Sequence, residues 1–150
     1  HSYIYFFYFY MFGTCIWAEL IPSHSFHTIV KTISTKCNSQ LYNPHITLEY
    51  NSKNSVKNAT KYSPEEYHKV GNIYKDNFHN FYSLQQDYID IKTKNIFHVS
   101  VGYKAVNTFS ADEVLFANTL DIPAVIYTKD IFVSVWNCDS IYTSKWHKIQ

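Results

Sequence analysis

Two stretches decide how this chain folds: Pro44-His45-Ile46-Thr47-Leu48-Glu49-Tyr50 and Phe97-His98-Val99-Ser100-Val101-Gly102-Tyr103. Each holds a histidine, an apolar residue, a hydroxyl residue and a second apolar residue in that order. Side chains alternate faces along an extended strand. His45 and Thr47 therefore share one face, with Ile46 and Leu48 on the other. His98 and Ser100 stand against Val99 and Val101 in the same way. Each stretch predicts a strand that buries an aliphatic face and presents an imidazole beside a hydroxyl on the opposite one.

Working outward, residues 12–20 read as a strand, which Pro22 and Ser23 end. Ser23 is placed to cap a helix whose apolar positions Phe26, Ile29, Val30 and Ile33 recur at helical spacing. Asn38 and Asn43-Pro44 mark turns before the first motif strand. Residues 51–62, rich in Asn, Ser and Lys, read as an exposed loop. Ser63-Pro64-Glu65-Glu66 carries the signals of a helix start, with Val70, Ile73, Tyr74 and Phe78 as its apolar stripe. Residues 87–92 alternate like a strand, and 96–103 form the second motif strand. Ser110-Ala111-Asp112-Glu113 repeats the capping logic ahead of Val114, Leu115 and Asn118. Strands at 123–128 and 131–137 follow, with the tail pairing as an edge. The fold class is α+β, with antiparallel sheets lining a central cleft and helices outside.

At 150 residues, with 46% hydrophobic and 17% charged residues, the composition is that of one globular domain with a real core. All 13 basic residues are Lys. No guanidinium fork is available, so a phosphate must be held by Lys, His, hydroxyls or backbone amides. A formal net charge of +1 gives no global attraction to a long duplex nucleic acid. A nucleotide or short oligonucleotide is the expected partner. Cys15, Cys37 and Cys138 are odd in number and show no CxxC spacing. That argues for a reducing, cytoplasmic compartment, without a disulfide framework, metal site or cofactor. Residues 1–18 lack acidic and basic side chains, but the run is too short and interrupted for a membrane span. The simplest reading takes Met11 as the natural start and residues 1–10 as an upstream extension. An extra strand and a membrane anchor rank second and third.

The doublet, "PHITLEY" and "FHVSVGY", resembles the signature of the 2H (two-histidine, LigT-like) phosphoesterase superfamily, which carries His-apolar-Thr/Ser-apolar once in each of two related lobes. "MFGTCIWAEL" is similar to that family's first strand, and "IFVSVWN" with "KWHKI" to its late strand and tail. The resemblance covers about residues 11–150, although only the two tetrapeptides are specific. It implies two pseudo-symmetric lobes and a hydrolase that cleaves phosphodiesters without a metal, with His45, Thr47, His98 and Ser100 as the catalytic set.

The residue types fit that chemistry. One imidazole takes a proton from the nucleophile, the other gives one to the leaving oxygen, and the hydroxyls of Thr47 and Ser100 donate to the phosphate oxygens. The sequence leaves the two histidine roles interchangeable. Trp17, Tyr50, Tyr103 and Trp146 are the candidate substrate-binding residues. Trp17 could stack a base or fill the core, and strand alternation favours the core for Tyr103. Lys53, Lys57 and Lys61 could steer a phosphate from the polar loop. His24, His27, His68, His79 and His147 match no motif. Candidate substrates are a 2′,3′-cyclic phosphate, an RNA end or a small oligonucleotide. One alternative is a viral enzyme that degrades cyclic or 2′–5′ oligonucleotide messengers of host defence. Another is a non-catalytic nucleotide-binding or interaction module.

Overall fold

The computed structural model describes residues 12–78 and 81–150. Residues 1–10, Met11 and His79 lie outside them, and with them the reading of an upstream extension. The elements in chain order are β1 (Thr14–Leu20), α1 (Ser25–Cys37), β2 (His45–Glu49), α2 (Ser55–Ala59), β3 (Tyr67–Phe78), β4 (Phe81–Asp90), β5 (Ile96–Lys104), α3 (Ala111–Asn118), β6 (Val125–Ile126), β7 (Ile131–Asn137) and β8 (His147–Lys148). Among the described residues, eight strands form one sheet in the order β6-β3-β4-β5-β2-β1-β7-β8. Its pairings are antiparallel. The expected plural sheets are thus one continuous sheet. Its two halves meet where β2 pairs with β5 at Ile46 and Val99. Among the described residues, no helix is long and apolar enough to cross a membrane.

One face of the sheet carries the helices. Ala18, Ile46, Leu84, Val99 and Val101 project from the strands into a core with Phe26, Ile29 and Ile33 of α1. The predicted stripe of α1 is buried as expected, but the cap is the ring of His24, which accepts from the Phe26 amide at 3.2 Å, rather than Ser23. Ser110 and Glu113 close the capping box of α3. Asn118, at its end, clamps the backbone of Ile73 through both side-chain atoms, at 2.8 and 3.0 Å.

Two local readings are corrected. The loop expected at 51–62 contains the short helix α2. The helix expected after Ser63-Pro64 is the long strand β3. Gly71 there has φ +68°, incompatible with a right-handed helix. The β3–β4 register slips between Val70 and Tyr74. Such an irregularity breaks strict alternation and leaves apolar residues at 70, 73 and 74, the spacing of a helix. The expected strand at 123–128 shrinks to β6, while β7 and the edge strand β8 form where the sequence placed them.

Candidate functional site

The second face of the sheet gathers the motif residues. Ile46 stands opposite Val99, so antiparallel register sets Thr47 across from His98 and His45 across from Ser100. The neighbouring strands extend this into two rows. One runs Ser134, Trp17, Thr47, His98, Asp87; the other runs Phe132, Glu19, His45, Ser100, Gln85. The four motif side chains thus form one block on adjacent strands, and the two imidazoles lie on its diagonal. Same-face diagonal positions are roughly 7–8 Å apart, a span that brackets a single phosphate.

The two histidines have different surroundings. His45 is 5% exposed. Its Nδ1–H donates to the Asn43 carbonyl at 2.7 Å, which leaves Nε2 with the lone pair. Its ring lies flat on Trp17, centroids 3.4 Å apart and planes 3° apart. Burial pushes its pKa down to about 3; the Asn43 carbonyl pulls upward and the neighbouring His98 pushes down further. His98 is half-buried. Burial lowers its pKa too, opposed by the carboxylates of Asp87, its cross-strand partner, and Asp76. Tyr74 donates its hydroxyl to Asp87 at 2.7 Å and to Gln85 at 3.1 Å.

The hydroxyls differ as well. Ser100 Oγ is buried without a hydrogen-bond partner among the described residues, while its carbonyl accepts from the Tyr42 hydroxyl at 2.8 Å. Thr47 is half-buried, with the Tyr50 hydroxyl against its side chain.

Of the four aromatic candidates, Tyr50 is the open one, at 49% exposure. Trp17 is sandwiched between His45 and Trp136, whose centroid lies 4.6 Å away. Trp146 covers His45 at 6.3 Å, its Nε1–H donating to the Ser140 carbonyl. Tyr103 is buried on the motif side rather than in the helix-side core that alternation favoured. The reason is the register slip between Leu84 and Gln85, which adds a residue to β5 and turns Tyr103 over. These rings, with Phe12, Cys15, Thr47 and Cys138, close around a cavity of about 10 Å³ beside His45. That is at the lower limit for one water. Of the loop lysines, Lys61 lines a separate hollow away from this block.

Sequence reasoning missed Glu19. Its buried carboxylate accepts from Asn43 Nδ2 at 3.0 Å and Trp136 Nε1 at 3.4 Å, and pairs with Lys148 at 3.6 Å. It thereby fixes the residue whose carbonyl holds His45. The available signal was a lone acid inside the apolar strand Cys15-Ile16-Trp17-Ala18-Glu19-Leu20, a residue type seldom buried unless paired. Asp87, Tyr74 and Gln85 went unnoticed because their relation to His98 exists only through the β4–β5 pairing. Among the described residues, no group of three or more His, Cys, Asp or Glu side chains is placed to hold a metal ion.

No model of a known protein family matches this chain, and no curated protein matches it.

Proposed function

We propose that this protein is a phosphodiesterase of the two-histidine kind that works without a metal, opening a 2′,3′-cyclic phosphate or cleaving an RNA-end or short-oligonucleotide diester. One observation carries the reading: His45, Thr47, His98 and Ser100, 53 residues apart in sequence as two pairs, form a single block on neighbouring strands. The seam between β2 and β5 is where the two lobes of such a fold would meet.

The surroundings divide the roles. His45, neutral and with Nε2 unprotonated, is the base that takes the proton from the attacking water or sugar hydroxyl. His98, where burial lowers the pKa but the Asp87 and Asp76 carboxylates oppose it, is the acid that protonates the leaving oxygen as its bond to phosphorus breaks. Thr47 donates to a non-bridging oxygen, where negative charge builds, and Ser100, whose Oγ is enclosed in the closed site, does so once the cover over the block opens. The charge of Lys148, at the edge of the block, is already paired with Glu19. A monoanionic diester suits such a site better than a polyphosphate. Burial pushes the base group down to about 3 and lowers the acid group as well, so the rate peaks at acidic pH, between the two, and has already fallen by neutrality.

A second reading rests on the same residues. The flat stack of His45 on Trp17, under Trp146, is what a structural histidine in a binding or interaction module would show. Burial that keeps His45 neutral also makes it a weak base, so turnover needs Trp146 to move aside.

The deciding experiment is hydrolysis of a 2′,3′-cyclic nucleotide and a panel of 2′–5′ and cyclic oligonucleotides in EDTA. Wild type is expected to turn over at least one member, with His45→Ala and His98→Ala each down by about 10²-fold or more. A preference for the oligonucleotide messengers would favour the host-defence variant of the reading. A folded wild type inert across the panel, or variants as active as wild type, would shift the conclusion to the binding module.

A further inference from the structure

The helix-bearing face holds a second, roomier hollow of about 270 Å³, away from the motif block. It lies between the segment 61–65 and the ends of the strands, and none of His45, Thr47, His98 or Ser100 lines it. Its size approaches the roughly 300 Å³ at which small-molecule sites begin. Ala18, Leu48 and Phe97 give it an apolar floor.

Two polar groups in this hollow are unspent. Tyr67 and Asp90 face each other across β3 and β4, are 2% and 5% exposed, and both line the hollow. Asp90 uses Oδ1 to accept the amides of Lys92 and Thr93, at 2.8 and 3.1 Å. Its Oδ2 and the Tyr67 hydroxyl have no hydrogen-bond partner among the described residues. They are also not sealed in, as the oxygens of Ser39, Ser100, Ser134 and Asp139 are, so both open on the hollow. In so shielded a hollow a ligand that pairs both groups gains about one hydrogen bond at each. Burial, with Asp90 and Glu65 nearby, raises the Tyr67 pKa. The hydroxyl therefore keeps its proton and can donate, while the carboxylate accepts.

Tyr67 and Asp90, paired across neighbouring strands and lining one aromatic-walled slot, offer it a donor and an acceptor, which complement an acceptor next to a donor on a flat ring. The Phe97 ring meets Tyr67 edge-on at 5.9 Å and 88°, and Tyr62 also lines the hollow. We propose that this hollow binds an amino-substituted nitrogen heterocycle of the nucleobase type. Its exocyclic amino group donates to Asp90 Oδ2, and its adjacent ring nitrogen accepts from the Tyr67 hydroxyl. This site is independent of the phosphodiesterase reading and stands whether or not the motif block turns over.

The test is a fluorescence titration of the whole chain with 2-aminopurine, whose amino group lies next to a ring nitrogen. Saturable quenching is expected. Tyr67→Phe removes one oxygen and leaves the ring packing in place; Asp90→Asn keeps the carbonyl that holds the turn at Lys92. Each is expected to weaken binding by about fivefold to tenfold, the worth of one hydrogen bond. Indole, which donates but lacks the neighbouring acceptor, should compete poorly. Absence of saturable quenching, equal competition by indole, or unchanged binding in Tyr67→Phe would overturn the proposal. Because the readout is binding, a failure here leaves the hydrolysis result untouched, and the reverse also holds.

Discussion

His45 and His98 share a motif and are both lowered by burial, but a backbone carbonyl opposes the shift in one and carboxylates oppose it in the other, and each difference predicts a measurement. In the unfolded chain, His45 takes up its proton near pH 6.5; in the folded one it resists until about pH 3. Between those values the unfolded state binds more protons, so stability falls as pH drops. Above pH 6.5 the group contributes no pH dependence. At about 1.4 kcal/mol per pH unit, the loss by pH 3 is on the order of 3–5 kcal/mol. Denaturant unfolding at pH 7 and pH 4 should show a smaller drop for His45→Phe than for wild type; equal drops would rule this out. For His98, removing the Asp87 charge takes away the carboxylate that most favours its imidazolium. Asp87→Asn is expected to lower the His98 pKa, read by NMR titration of its ring protons. The same variant should move the falling limb of the rate profile to lower pH. An unmoved His98 titration would mean Asp87 does not act on it.

At the scale of elements, the informative places are where a strand breaks its own rule. Gln86, 1% exposed, donates Nε2 to the carbonyls of Val70 and Gly71 at 3.1 and 3.0 Å, pinning the irregular stretch of β3 to β4. Gln86→Leu keeps the volume and strands those carbonyls. Chemical denaturation should show it less stable by about 1–3 kcal/mol. In β5, a Cβ added at Gly102 would lie 2.7 Å from Phe109 and 3.3 Å from Ile33. Glycine here lets α1 and Phe109 approach the strand just where its register shifts and Tyr103 turns to the motif side. The helices obey local rules more closely. The α3 capping box was legible from Ser110 and Glu113 alone because its bonds span three residues. The β3 stretch was misread because its irregularity imitates helical spacing, and Gly71 was the residue that argued against a helix.

At the scale of the whole molecule, closure of the motif face is the work of distant segments. Gln40 donates to the Ile141 carbonyl and accepts from the Thr143 amide, and Thr143 donates its hydroxyl to the Leu41 carbonyl. These bonds tie the C-terminal segment to the loop ahead of β2 and seat Trp146 over His45. Trp146→Ala is expected to admit water to that ring and raise its pKa from about 3 toward 6.5, visible in the ring-proton titration. If the phosphodiesterase reading holds, the same opening increases turnover of small cyclic substrates. A His45 titration identical to wild type would show that the burial comes from Trp17 and Tyr42 instead.

The sequence by itself determined what lies within a few residues: the two motif strands and which side chains share a face, the apolar stripe of α1, the cap of α3, and β7. These follow from strand and helix periods and from short-range hydrogen bonds, which local order encodes. Only the tertiary structure decided that β2 and β5 are neighbours, that Thr47 meets His98 and Ser100 meets His45, and that Glu19 and Asp87 serve opposite ends of the block. It alone buried His45 between Trp17 and Trp146 and set Tyr67 against Asp90. Register between strands and the water left at a side chain depend on packing between segments tens of residues apart, and no local period records that packing.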